Sequence, residues 1–101
     1  MPVVMYMEWD GVTPRQYDEA RTRVDWEQEV PEGAILHVPW FAEGGLRVVD
    51  LWDSADHFQR FVDARLMPAV QEIGITGKPR VEFNPLHSRV FAPALEKATA
   101  R

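Results

Sequence analysis

The chain has 101 residues, the size of one domain, and folding at that length buries only about 60–70% of the surface the unfolded chain exposes. It is 46% hydrophobic and 27% charged, the balance of an ordinary globular domain, and its net charge of −5, with Lys and Arg scattered, argues against a nucleic-acid partner. The absence of cysteine excludes a disulfide scaffold, a thiol nucleophile and a thiolate zinc site.

The beginning, Met1-Pro2-Val3-Val4-Met5, meets Glu8 and Asp10 early, without a basic leader or an apolar core. No apolar run reaches membrane-spanning length. A cytoplasmic protein with no membrane association is expected. Residues 3–9 are β-prone and run into Asp10-Gly11, a turn signal, so they form a first strand. Thr13-Pro14-Arg15-Gln16 has the pattern of a capping box with Pro at the first helical position, and Tyr17, Ala20 and Val24 continue one apolar stripe to give a helix over 14–24. Ala34 to Phe41 and Leu46 to Trp52 are two further strands. The glycines of Ala42-Glu43-Gly44-Gly45 signal a hairpin between them. Pro39 cannot donate to a ladder, which places the second strand at a sheet edge.

Ser54 is a helix N-cap with Asp56 in the first turn, and Phe58, Phe61, Val62 and Leu66 form an amphipathic face. Pro68 should break or kink that helix. Val81 to Leu86 is a fourth strand. In the tail, 88–101, Ala94-Leu95-Glu96-Lys97 reads either as a frayed helix or as an arm on a partner subunit. The order is βαββαβ: an α+β, ferredoxin-like domain over 1–101, with its core at about 3–87 and a four-stranded antiparallel sheet.

Alternation along the strands makes both faces of that sheet apolar. One face carries Leu36, Val38, Trp40, Val49 and Leu51, with Arg47 as the exception, its stem expected to run along apolar surface toward an acidic partner. The other carries Ile35, Pro39, Phe41, Leu46, Val48 and Trp52, together with His37 and Asp50. The first strand divides Met5, Met7 and Trp9 from Val4 and Tyr6. Two helices cover one face only, and the other would leave a patch well above the roughly few hundred Å2 a monomer tolerates, so a homodimer is expected.

The segments Leu36-His37-Val38, Leu46-Arg47-Val48-Val49-Asp50-Leu51-Trp52-Asp53-Ser54, Phe58-Gln59-Arg60-Phe61, Arg65-Leu66-Met67-Pro68-Ala69-Val70 and Val81-Glu82-Phe83-Asn84-Pro85-Leu86-His87 resemble the dimeric α/β-barrel superfamily, and within it the antibiotic-biosynthesis-monooxygenase-like proteins. The resemblance covers about residues 3–87. It implies a dimeric α/β barrel and, among the activities of that superfamily, cofactor-independent oxygenation, isomerisation, dehydration, cyclisation or haem degradation. The Asn-Trp-His arrangement of the haem-degrading branch is not found, and no cofactor is expected.

The candidate chemistry lies in His37 and Asp50. If Ala42–Gly45 is a four-residue connection, Phe41 opposes Leu46 and His37 opposes Asp50. If Gly44-Gly45 is a two-residue turn, His37 opposes Trp52 and Asp50 is diagonal. Either register keeps the pair on one face. A carboxylate beside an imidazole fixes its tautomer and makes it a better base; equally, the two are a buried polar pair that satisfies itself. Trp9, Trp52 and Phe41 are candidate substrate-binding aromatics, with Trp40, Tyr6 and Phe83 also available to an aromatic pocket or to the core. His87 is placed either at the mouth of the same cavity or at an exposed strand end, and His57 on the solvated surface. Glu8 is an exposed edge charge or a second acid. The dispersed histidines lack metal-ligand spacing, so no metal is expected.

Three readings follow. One is an enzyme of monooxygenase, isomerase or cyclase type, acting on a hydrophobic or aromatic small molecule with His37 as base and Asp50 orienting it. The second is a non-catalytic ligand-binding or structural dimer, and the third binds haem through His37 or His87. A cavity lined by His37 favours the first, and a solidly packed face the second.

Overall fold

The computed structural model describes residues 1–99. Its elements are β1 (Val3–Asp10), α1 (Pro14–Val24), β2 (Ala34–Ala42), β3 (Gly45–Trp52), α2 (Ala55–Phe61), a π-helical segment (Val62–Leu66), α3 (Met67–Ile73), β4 (Arg80–Pro85) and α4 (Leu95–Thr99). The strands form one antiparallel sheet in the order β2-β3-β1-β4, the arrangement of a ferredoxin-like fold. Pro39 sits on the edge strand β2, where its missing N–H costs no ladder bond. Of the expected 88–101 tail, a short exposed helix ends at Thr99, and residues 100 and 101 lie outside the described residues.

Local chemistry fixes the helix ends. The Gln16 N–H donates to Thr13 Oγ1 at 3.2 Å and the Thr13 N–H donates to Gln16 Oε1 at 3.0 Å, a closed capping box. At its other end α1 stops on Asp25 in the left-handed region, φ 58°. Arg65 then donates to the Val24 carbonyl at 2.9 Å, satisfying an acceptor the helix end leaves open.

The break or kink expected at Pro68 takes the form of a local widening, and the helix runs on without a break. Immediately before it the chain widens into a π turn, and the Met67 N–H donates to the Val62 carbonyl five residues back. The wider turn relieves the clash a proline ring makes with the carbonyl four residues earlier. It also puts Phe61 and Leu66, five apart, on the same inner side.

The hairpin pairs Ala42 with Gly45, Phe41 with Leu46 and His37 with Asp50, leaving Glu43 and Gly44 as the two-residue turn. The His37–Trp52 register is therefore not adopted. Gly45 has φ 149°, and a Cβ there would collide with the Trp9 carbonyl of β1. A register shift between Ala34 and Leu36 corrects the simple alternation: Ile35 is bulged out of the ladder and half-exposed, although His37, Pro39 and Phe41 keep the expected face.

The helices cover the face that carries Met5, Met7, Trp9, Leu46, Val48 and Trp52, which with Val12, Phe58 and Val70 make the buried cluster. The opposite face carries Val4, Tyr6, Leu36, Val38, Trp40, Val49 and Leu51. Trp40 is 41% exposed and Val38 40%, while Leu51 is buried at the end where Pro2 and Leu86 join through a 3.0 Å backbone bond. The charges on this face are gathered toward the Asp10 end of β1. Arg47 lies 3.2 Å from Asp10 and 3.8 Å from Glu8, its side chain only 14% exposed, as its long stem suggests. Glu8 is not an edge charge: β1 is an inner strand, and Glu8 accepts from Tyr6 Oη at 2.7 Å and from Arg80 at 3.1 Å. Those two donors hold its carboxyl below the usual range.

Candidate functional site

Between the sheet and the helices lies a cavity of about 240 Å3, open to one side and lined almost wholly by apolar side chains. Its floor is Met5, Met7, Trp9, Leu46, Val48 and Trp52 from the two central strands. Its roof is Ala20 and Tyr17 of α1, with Phe58, Phe61, Leu66 and Val70 from the α2–α3 helix. Trp26, Val30 and Pro31 of the connection after α1 close one flank.

A line of hydrogen bonds crosses this apolar field. Asp50, 5% exposed, has both carboxylate oxygens engaged: Oδ1 lies 2.7 Å from His37 Nδ1, and Oδ2 accepts from Trp52 Nε1 at 3.0 Å. His37 Nε2 lies 2.7 Å from the Tyr17 hydroxyl. The direction of these bonds follows from the donors available. A carboxylate only accepts, so His37 Nδ1 carries a proton; in the neutral imidazole Nε2 is then the acceptor, and the Tyr17 O–H donates to it. Burial pushes the Tyr17 hydroxyl well above its usual range, which keeps that proton on the phenol. The order is Tyr17→His37→Asp50←Trp52.

Aromatic packing fixes the geometry. The Trp26 ring stands edge-on to His37 at 5.4 Å and tilted to Tyr17 at 5.7 Å, while Tyr17 lies parallel to His37 at 6.1 Å. The left-handed Asp25 turns the chain back so that Trp26 reaches them. On the far side of the cavity Trp9 Nε1 donates to the Gly77 carbonyl at 3.0 Å, so both buried indole N–H groups are already committed.

The structure brings His37, Asp50, Trp9 and Trp52 together around one cavity. Phe41 stands beside it, edge-on to Tyr17 at 6.2 Å, without lining it. His87 is elsewhere, in a shallow groove with Met1, Pro2, Leu51 and Leu86, and does not line the mouth of this cavity. Trp40 and Tyr6 belong to the opposite sheet face, and Phe83 packs edge-on against Phe58 at 5.6 Å. His57 is not a solvated surface residue: 23% exposed, it lies 2.7 Å from Ser54 Oγ and packs beneath Gly33. Tyr17 and Trp26 are site residues that strand alternation does not find. Tyr17 carried a signal nonetheless, since a tyrosine on the core stripe of a helix needs a partner for its hydroxyl.

No protein-family model matches the chain, and no curated protein matches its sequence. Solved structures do match. SnoaB, a cofactor-independent oxygenase from Streptomyces nogalater, aligns with a TM-score of 0.55 at 14% identity, over 91% of this chain and 95% of its own. A dimeric ferredoxin-like protein of unknown function from Thermobifida fusca aligns at 0.57 and 18%, over 85% and 92%. A protein from Caulobacter crescentus with a proposed antibiotic biosynthesis monooxygenase activity aligns at 0.58 and 15%, over 86% and 90%. The chain thus has the ferredoxin-like fold that the antibiotic-biosynthesis-monooxygenase-like proteins share.

Proposed function

We propose that this chain is a homodimeric protein that binds a hydrophobic, aromatic small molecule and moves a proton on it without a cofactor. His37 is the base and Asp50 the residue that orients it. The observation that carries this reading is a histidine–aspartate pair at 2.7 Å, set into the wall of an otherwise apolar cavity. At about 240 Å3 the cavity is smaller than the roughly 300–1,000 Å3 of drug-sized pockets, which suits a ligand of one or two rings. The likeness to an oxygenase described as cofactor-independent supports the absence of a resident group. Haem ligation by His37 is disfavoured, since both of its ring nitrogens already have partners.

The apolar outer face of the sheet, with Val38, Trp40 and Val49, is the surface for the second copy, and the dimeric neighbour from Thermobifida fusca favours this assignment. Trp40→Glu should reduce the mass measured by light scattering from that of two chains to that of one; an unchanged mass would place the interface elsewhere.

The base is tested by deuterium exchange of the acidic C–H protons of 2-tetralone, a two-ring ketone. The protein should accelerate exchange above buffer, and His37→Ala should remove the acceleration. Exchange that is not accelerated, or that survives in His37→Ala, refutes His37 as the base.

A further inference from the structure

The geometry points to Tyr17, rather than His37, as the group that meets the ligand, with His37 acting one hydrogen bond behind it. This rests on the reading of the cavity as a ligand site with His37 as its base. Neither ring nitrogen of His37 is free: Nδ1 is held by Asp50 and Nε2 by the Tyr17 hydroxyl, each at 2.7 Å. The two buried indole N–H groups are likewise taken, by Asp50 and by the Gly77 carbonyl. The Tyr17 oxygen gives its one proton to His37 and keeps its acceptor lone pairs. Tyr17 lines the cavity, and Trp26 and Phe41 pack on its ring from two sides, so the hydroxyl is held in place before a ligand arrives.

Such an oxygen accepts a hydrogen bond from a ligand hydroxyl. Proton transfer then takes two concerted moves. The ligand O–H proton passes to the Tyr17 oxygen as the Tyr17 proton passes to His37 Nε2. The products are a ligand oxyanion, a neutral tyrosine and an imidazolium beside the Asp50 carboxylate, with every proton accounted for. The regenerated Tyr17 O–H now points its proton at the oxyanion and stabilises it. Tyr17 therefore serves both as the route of the proton and as the donor to the charge it leaves behind.

The test compares 2-naphthol with naphthalene, the same rings without the hydroxyl, by calorimetric titration of the full chain. The wild-type protein should prefer 2-naphthol by about tenfold, the worth of one good hydrogen bond. Tyr17→Phe should bind both equally while keeping the affinity for naphthalene, which shows the cavity intact; His37→Gln should retain a preference for 2-naphthol. A preference kept by Tyr17→Phe and erased in His37→Gln overturns the inference and leaves the reading of the cavity standing. If the wild-type protein binds neither compound, the reading of the cavity fails and the inference falls with it.

Discussion

Replacing Asp50 by Ala is the sharpest test of whether the hydrogen-bonded line holds this site together. The substitution removes the acceptor of two donors at once. Trp52 Nε1 belongs to a residue only 3% exposed, so water cannot replace Asp50 there, and an orphaned buried donor costs about 1–3 kcal/mol. The His37 side chain is 34% exposed and turns part of the way to solvent, so its loss is closer to the ~0.5–1.5 kcal/mol of an ordinary hydrogen bond. The removed carboxylate also had a desolvation cost, which offsets the charge assistance of its bonds. The sum is about 1.5–4.5 kcal/mol. For a chain of this size, at about 4–8 °C per kcal/mol, its middle, about 3 kcal/mol, lowers the melting temperature by roughly 12–24 °C.

Asp50→Asn should cost less, because an amide oxygen still accepts from Trp52, and its NH2 donates to His37 Nδ1 once the imidazole proton moves to Nε2 and is given to the Tyr17 oxygen. The decisive measurement is a double-mutant cycle with Trp52→Phe, followed by far-ultraviolet circular dichroism in urea at one protein concentration. Once the indole N–H is gone, Asp50→Ala should be milder by about 1–3 kcal/mol, the share due to the orphaned donor. A coupling energy below about 0.5 kcal/mol, or a single variant as stable as the parent, would refute the account of a satisfied buried network.

Other consequences are open to measurement. Gly33 has φ 86° and a Cβ there would meet the His57 ring at 2.5 Å, whereas Gly11 has φ 84° with nothing within 4 Å. Both Gly→Ala variants bear the backbone cost of about 1 kcal/mol, but Gly33→Ala should melt measurably lower; equal melting would remove the steric argument. Because the Tyr17 hydroxyl is raised in the folded chain, its contribution is complete below its ordinary value near 10 and is lost as pH climbs above it toward the folded value. Alkaline melts of the parent and Tyr17→Phe should therefore converge above that pH, and parallel curves would contradict the shift. Glu8 has the opposite sign: its lowered carboxyl stabilises above its ordinary value of 4.5 and ceases to as pH falls through the folded value. Tyr6→Phe, which removes the main cause, should flatten acid melts in that range, and a profile that keeps its slope would assign the effect to other carboxylates.

Much of the fold is written locally and was readable for that reason. The box Thr13–Gln16 starts α1 where expected, Ser54 starts α2, and Pro39 marks an edge strand, because each acts through neighbours a few residues away. The meeting of His37 with Asp50 depended only on hairpin register. What escaped was set by distant contacts or by backbone departures without a residue signature. The bulge at Ile35 breaks an alternation that nothing in Ala34-Ile35-Leu36 betrays. Pro68 reads as a break or a kink, and the π turn that absorbs it has no residue signature of its own. Trp26 enters the site only because Asp25 adopts a left-handed conformation, and Tyr17 reads as one more apolar position on a helical stripe until the strand opposite it is known to carry His37. Of the two places open to His87, the path of the chain after β4 gives the exposed strand end and not the cavity mouth.

The π turn at Val62–Leu66 also has a genetic meaning. Five residues there close a turn that four would close elsewhere, so the helix from Ala55 to Ile73 carries one amino acid more than an unbroken α path. Loss of a single codon within it would restore the unbroken α path, with Ala69 and Val70, 8% and 2% exposed, still facing the sheet. What the shorter helix would lose is the room for Pro68, whose ring would then meet the carbonyl four residues back. The extra residue and the proline belong together, and neither is lost or kept alone without cost.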